Sequence, residues 1–292
     1  MHPLRSLLFV PGDSEKKLFK SISTSADALI LDLEDSVSPE RTALARNMVA
    51  EFLAAHSNRD HQQLWVRINP LQTPLALPDL VAVMAGKPDG IMLPKPLNAQ
   101  DAQQLDHFLS ALEMREGLAL GSTRIIPVAT EVAGALFDLH SYAGATPRLQ
   151  GLTWGAEDLA TDIGASSNRD ESGEFTFTYQ IARSLCLLAC AHAKVQAIDT
   201  LSVDFKDMAA LARDVQLARK EGFSGKLAIH PDQVDVINQG FTPSPQDINH
   251  AQRIVDAFAQ AQGAGAVQLD GKMVDKPHLT QALRLLQLSR KN

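Results

Sequence analysis

Apolar residues along the chain gather into short, nearly uninterrupted runs. Each is closed by Gly, Pro or a charged residue, and most are followed by a polar or amphipathic stretch of helical character. The runs cover residues 6–11, 28–34, 64–69, 90–95, 125–131, 149–155, 197–202 and 226–230. Helix-period segments stand between them at 39–55, 99–115, 178–194 and 207–220, and another follows the last run at 245–262. Ser38 is placed to cap the first of these, with Pro39 at the first helical position. Strands apolar at nearly every position suit a parallel sheet covered by helices on both faces. Eight of them predict an α/β protein closed as a (β/α)8 TIM barrel, although the spacing is also compatible with an open, doubly wound sheet.

Polar residues cluster where the predicted strands end: Glu34 and Asp35, Arg67 and Asn69, Lys95, Glu131, Glu157 and Asp158, and His230. In a (β/α)8 barrel those ends meet on one face, and the loops there build the active site. The barrel is expected over residues 1–240, with a C-terminal helical extension at 241–292. Within the extension, Gly263-Ala-Gly-Ala266 reads as a flexible hinge before 267–274. The extension is not needed to close a barrel. It reads either as a mobile lid or a subunit-exchanging arm, or as plain packing against the barrel.

Composition narrows the partners. The chain has 292 residues, 45% hydrophobic and 21% charged, enough for one substantial core. A net charge of −7 argues against gripping a nucleic-acid backbone, while leaving room for a local basic patch on a phosphorylated small molecule. No apolar run approaches the roughly 20 residues needed to span a bilayer, and the N-terminus reads as a first strand. A cytoplasmic or organelle-matrix enzyme without membrane contact is the simplest expectation. Cys186 and Cys190 share one face of a helix and read as reduced core residues; a zinc site with His192 would lack a fourth local ligand.

The candidate chemistry is carried by oxygen ligands and cations. Glu131 and Asp158, at the expected ends of adjacent strands, suit a hard cation such as Mg2+, and equally suit caps of the following helices. Arg67, a charge inside an apolar strand, is a candidate clamp for a substrate carboxylate, or a buried partner of Glu34 or Asp35. Glu34 and Asp32 share a strand face, and Glu34 is the residue expected in the inner shell, holding Arg67 or metal-bound water. Lys95 reads as a supporting cation or a helix-start residue. Gly155 lets backbone approach a ligand, and successive amides at Gly155, Ala156 and Glu157 could hold a substrate carboxylate. Gly12 with Lys16, Lys17 and Lys20 reads as a phosphate contact or as a solvated helix face. His230 reads as a hydrogen-bonded wall residue.

Taken in order, Arg5-Ser-Leu-Leu-Phe-Val-Pro-Gly12, Leu31-Asp-Leu-Glu-Asp35, Arg67-Ile-Asn69, Leu93-Pro-Lys95, Glu131, Trp154-Gly-Ala-Glu-Asp-Leu159, Ile229-His-Pro231 and Asp270-Gly-Lys-Met-Val-Asp275 form a pattern over essentially the whole chain. It resembles the citrate lyase beta-subunit-like group of the HpcH/HpaI aldolase superfamily. The resemblance implies a (β/α)8 barrel assembled as a homotrimer or dimer of trimers, Mg2+ held by Glu131 and Asp158, and a 2-oxo-acid carboxylate held by Arg67. It implies further that Asp275 enters the neighbouring subunit's active site and handles the proton of an acetyl methyl group. The Leu152-to-Asp158 segment is similar to stand-alone members that act on free acyl-CoA esters. The implied activity is therefore a malyl-CoA or citramalyl-CoA type carbon–carbon lyase; the alternatives are a citrate lyase beta subunit that requires partner subunits, a malyl-CoA thioesterase and, outside enzymes, an oxo-acid-binding protein.

Overall fold

The computed structural model describes residues 3–261 and 263–289; the predicted helix end at Gln262 lies outside the described residues. Each apolar run forms a strand: β1 (Ser6–Pro11), β2 (Ala28–Asp32), β3 (Gln63–Arg67), β4 (Gly90–Leu93), β5 (Arg124–Pro127), β6 (Gly151–Thr153), β7 (Gln196–Asp199) and β8 (Gly225–Ala228). They are parallel and lie in the order β5-β4-β3-β2-β1-β8-β7-β6. The two outermost strands then meet. Ile125 pairs with Leu149 and Val128 with Thr153, and the Ala129 amide donates to Thr153 O at 2.8 Å. The sheet thus closes as a TIM barrel, and the open-sheet alternative falls away.

The residues explain the layers. β2, Ala-Leu-Ile-Leu-Asp, is buried at all positions, as a strand enclosed by the barrel interior and by helices must be. Leu7, Ile30, Trp65, Met92, Ile126, Ile198 and Leu227 fill one core cluster drawn from strands around the barrel. The helices that alternate with the strands and follow the last of them are α1 (Glu15–Ser21), α2 (Thr42–Ala55), α3 (Ala76–Val83), α4 (Ala99–Arg115), α5 (Glu157–Asp162), α6 (Phe177–Ala193), α7 (Met208–Glu221) and α8 (Asp232–Phe241). Ser38 makes no side-chain cap; Pro39–Arg41 is a short 3₁₀ turn before α2. Asn98 and Asp207 do cap α4 and α7, their side chains accepting from Gln100 and Ala210 amides. Cys186 and Cys190 are buried free thiols.

At the N-terminal ends of β5 and β6 lies a buried ion network. Arg148 reaches both oxygens of Glu113 at 2.7 Å and also pairs with Asp106. Burial works against ionising Glu113, yet Arg148 and the Thr123 and Gly121 amides hold its carboxyl down to about 2. Charges at this end of a barrel serve stability rather than chemistry.

The chain divides into two compact units, one running from Pro3 to Asn238 and the other from Gln239 onward. The second has its own core of Ala251, Ile254, Val274, Ala282 and Leu286. Its first helix, α9 (Pro245–Gln260), opens with a capping box in which Ser244 and Asp247 satisfy each other's backbone amides. The segment expected only as a tail after a hinge is an antiparallel hairpin, β9 (Ala266–Leu269) and β10 (Lys272–Asp275), followed by α10 (Lys276–Ser289). Asp270 and Gly271 both have positive φ, 51° and 75°, as a two-residue type I′ turn requires. Among the described residues no helix is long and apolar enough to cross a membrane.

Candidate active site

Most of the predicted strands stop two to four residues short of the expected boundary, which moves the key carboxylates into loops. β2 ends at Asp32, so Glu34 and Asp35 lie beyond it; β5 ends at Pro127, four residues before Glu131; β6 ends at Thr153, so Asp158 belongs to the first turn of α5 rather than to a strand end. Free of the pleat, these side chains can converge. Arg67, the last residue of β3, donates to Asp32 through Nε at 2.7 Å and Nη2 at 2.8 Å. Its Nη1 stands 3.2 Å from Glu34 Oε2 and 3.3 Å from Asp35 Oδ2, and its guanidinium lies 4.7 Å over the Phe9 ring. The principal partner of Arg67 is therefore Asp32, not Glu34 or Asp35. Register explains the choice, since Asp32 and Arg67 are direct neighbours across β2 and β3.

Lys95 ties the two halves of the cluster together and is not a helix-start residue, because α4 begins at Ala99. Its Nζ donates to Glu34 Oε1 at 2.6 Å and lies 3.2 Å from Asp158 Oδ1 and 3.4 Å from Asp35 Oδ1. Its backbone is left-handed, with φ of 48°, an unusual state for a residue bearing a side chain. In that conformation its amide donates to Glu131 Oε2 at 2.6 Å. One residue thus engages Glu34, Asp158 and Glu131.

Acids outnumber cations here. Asp32, Glu34, Asp35, Glu131 and Asp158 face Arg67 and Lys95, which leaves five minus two, or three, negative charges in excess when all are ionised. The cost appears in the protonation equilibria. Burial, reinforced by Asp158 and Glu34, pushes the Glu131 carboxyl up to about 8. Burial also pushes Glu34 up to about 7, against the pull of Arg67 and Lys95. Burial opposes ionisation of Asp32 as well, but Arg67 outweighs it and the carboxyl titrates below its ordinary range. Glu34 Oε2 is buried without a hydrogen bond.

Gly155 brings the α5 segment against Glu131. A Cβ at this position would sit 2.7 Å from Glu131 Cγ and 3.2 Å from its Oε1. The Gly155 amide is used within the barrel, donating to Thr130 Oγ1 at 3.2 Å. Ala156 is the N-cap of α5, and the Glu157 side chain accepts from Asn168 Nδ2 at 2.8 Å, tying the following loop to the helix start. His230 stacks on Phe205 at 5.0 Å, apart from the cluster's ion pairs. Asp275 lies in the second unit at the end of β10, where its Oδ1 stands 2.5 Å from His278 Nδ1; that hydrogen bond lowers its carboxyl pKa.

The structure thus joins Arg67, Glu34, Glu131 and Asp158, and adds Asp32 and Lys95. Asp32 was visible as an acid sharing a face with Glu34. Lys95 stood at a strand end with the other polar residues, but its left-handed backbone carried no signal of its own.

Comparison with known proteins supplies the family. The family described as HpcH/HpaI aldolase/citrate lyase matches residues 5–231. The chain belongs to this family. A second model, carbon–carbon bond lyases of the TIM-barrel fold, matches residues 176–291. Among HpcH/HpaI aldolase/citrate lyase relatives, a citrate lyase subunit beta from Haemophilus influenzae is 33% identical over 285 residues, covering 97% of this chain and 96% of its own. A (3S)-malyl-CoA thioesterase from Cereibacter sphaeroides is 32% identical over 287 residues, covering 98% and 94%. The solved structure of protein CitE from Mycobacterium tuberculosis in complex with magnesium, acetoacetate and coenzyme A matches with a TM-score of 0.81 at 29% identity, over 99% of this chain and 98% of that one. The chain is an enzyme of this lyase family.

Proposed function

We propose that this protein is a Mg2+-dependent carbon–carbon lyase. It cleaves or forms a malyl-CoA or citramalyl-CoA type thioester, with acetyl-CoA and a 2-oxo acid (glyoxylate or pyruvate) on the other side. The observation that carries this reading is the unbalanced acid cluster around Glu131 and Asp158. A buried carboxyl raised to about 8 beside two further acids is a poor structural choice and a good seat for a divalent cation. Among the described residues no group of three or more His, Cys, Asp or Glu side chains is arranged to hold a metal by itself. Glu131 and Asp158 would therefore hold the ion jointly with water and substrate oxygens, a shell that magnesium accepts readily. When bound, the ion supplies Lewis-acid polarisation of the substrate oxygen and neutralises the cluster.

The chain's own residues supply the rest. Nη1 of Arg67, the part of the guanidinium not committed to Asp32, is the donor for the oxo-acid carboxylate. Ala156 and Glu157 open α5, whose N-terminal dipole favours the same anion. Glu34, titrating at about 7, is matched to accept the substrate hydroxyl proton during cleavage at neutral pH. The bonding electrons pass to the departing acetyl-CoA enolate; Asp275 of a neighbouring subunit in a homotrimer or dimer of trimers would take up a solvent proton and pass it to the enolate carbon, while Glu34 releases the hydroxyl proton to solvent, so that protons balance over the cycle. Lys95 holds Glu34 and Asp158 apart from each other's charge.

The reaction is tested by incubating the purified chain with (S)-malyl-CoA and (S)-citramalyl-CoA, with and without Mg2+, and following products by mass spectrometry. Oxo acid with acetyl-CoA, dependent on Mg2+, is expected. Free CoA thiol with a hydroxy diacid would make it a thioesterase, and no product from either would favour a citrate lyase subunit dependent on partners.

The contact between Gly155 and Glu131 yields a sharper expectation. Gly155→Ala must push either the loop or the Glu131 side chain, so Mg2+-dependent turnover should fall by about 100-fold. Far-UV circular dichroism should remain that of the wild type, since the residue lies outside the strands and helices. Full turnover in the variant would show that the approach is incidental.

A further inference from the structure

On another side of the barrel wall, the buried carboxylate of Asp199 gathers donors from several elements. Asp199, the last residue of β7, is 3% exposed. Its Oδ1 accepts from Trp154 Nε1 at 2.7 Å, from Arg183 Nε at 3.0 Å and from the Thr200 amide at 3.0 Å. Its Oδ2 accepts from Arg183 Nη2 at 3.3 Å, and Lys226 Nζ of β8 stands 3.6 Å away. Arg183, on α6, is itself fixed by Glu221 of α7 and lies 4.6 Å over the Phe223 ring. Stability alone is a weak reason for such a hub, because well-packed apolar residues commonly do as well as a buried ion network.

What the network does accomplish is to fix the indole of Trp154. This ring is fully buried, meets Phe175 edge-on at 5.0 Å, and has no freedom to turn while Asp199 accepts from it. The next residue is Gly155, backed against Glu131 and donating to Thr130, and three residues further on is Asp158. A shift at position 154 is therefore passed to the spacing between the two carboxylates.

We propose that Asp199 is a positioning residue: by anchoring Trp154 it sets the separation of Glu131 and Asp158, and with it the affinity of that pair for a divalent cation. The inference rests on the metal reading above. It names residues that touch neither substrate nor ion; direct hydrogen-bond partners of metal ligands are worth about 10- to 100-fold in metal affinity, and an anchor one step further out is expected at the low end of that range.

The test uses the full chain without substrate and Mn2+ as the probe, read by the electron paramagnetic resonance of free ion. Trp154→Phe keeps a buried ring but removes the donor to Asp199. Trp65→Phe removes the other indole, which donates to Gln63 at 2.8 Å in the barrel core, and controls for loss of a buried tryptophan. Trp154→Phe should bind Mn2+ at least about 10-fold more weakly, and Trp65→Phe within about twofold of the wild type. Amide hydrogen exchange over 154–158 should accelerate in Trp154→Phe alone. Wild-type affinity and exchange in Trp154→Phe, or equal losses in both variants, would overturn the proposal. A wild type that takes up no Mn2+ would instead overturn the metal reading and this inference with it, an outcome plainly distinct from binding that ignores position 154.

Discussion

Glu131→Gln will unfold at a higher temperature than the wild type when both are metal-free, and yet turn over at least about 1000-fold more slowly in Mg2+. The two halves have one cause. Glu131 is buried beside Asp158 and Glu34, so its ionised form is disfavoured and its carboxyl titrates near 8 instead of in the ordinary carboxylate range. A carboxyl raised on folding contributes fully to stability below its unfolded pKa, and that contribution is lost as pH rises through the folded value. The thermal advantage of the glutamine should therefore be absent near pH 4, grow through neutrality and level off above about 8. Glutamine can still accept from the Lys95 amide through its carbonyl, which preserves the local backbone. It cannot serve as an anionic ligand, so the chemistry is lost. Calorimetry in a chelator across that pH range, beside steady-state kinetics in Mg2+, checks both. A variant that loses activity without gaining stability at pH 8 would mean that the acid excess is already compensated in the free protein.

Arg67→Lys should raise the KM for the oxo acid by about 100-fold in the condensing direction and destabilise the protein by about 2–3 kcal/mol. The charge is retained and the fork is lost. A lysine ammonium cannot span both oxygens of Asp32, which is 1% exposed and needs both donors, nor present Nη1 toward a second carboxylate. Urea unfolding and initial-rate measurements separate the two effects. Destabilisation with an unchanged KM would leave Arg67 as the partner of Asp32 and nothing more.

The barrel itself is legible in the sequence. All eight apolar runs became strands, because a parallel strand buried on both faces leaves an unambiguous trace of Leu, Ile and Val. The strands are shorter than their apolar runs for a physical reason. Hydrophobicity continues past the last ladder pairing, as in Leu33, which is buried in a loop after β2 has ended. The hairpin of the second unit was also within reach: Asp270-Gly271 is a strong two-residue turn signal, overlooked because its flanking strands are half exposed and carry no clear alternation.

The site was legible as a set of residue types and not as a geometry. Sequence alone determined that Glu34, Arg67, Lys95, Glu131 and Asp158 fall at or near the C-terminal ends of strands, and a parallel barrel must bring such positions to one face. It also determined the family, through motifs in a fixed order. Only the tertiary structure decided which acid takes Arg67, that a left-handed Lys95 joins four carboxylates, and that Gly155 is pressed against Glu131 while Trp154 is anchored on Asp199. The reason is one of range. Strand register and helix period are local properties written in consecutive side chains, whereas partner choice depends on distances between loops that closure of the barrel alone establishes, and on burial that converts small differences in distance into which charge is paired.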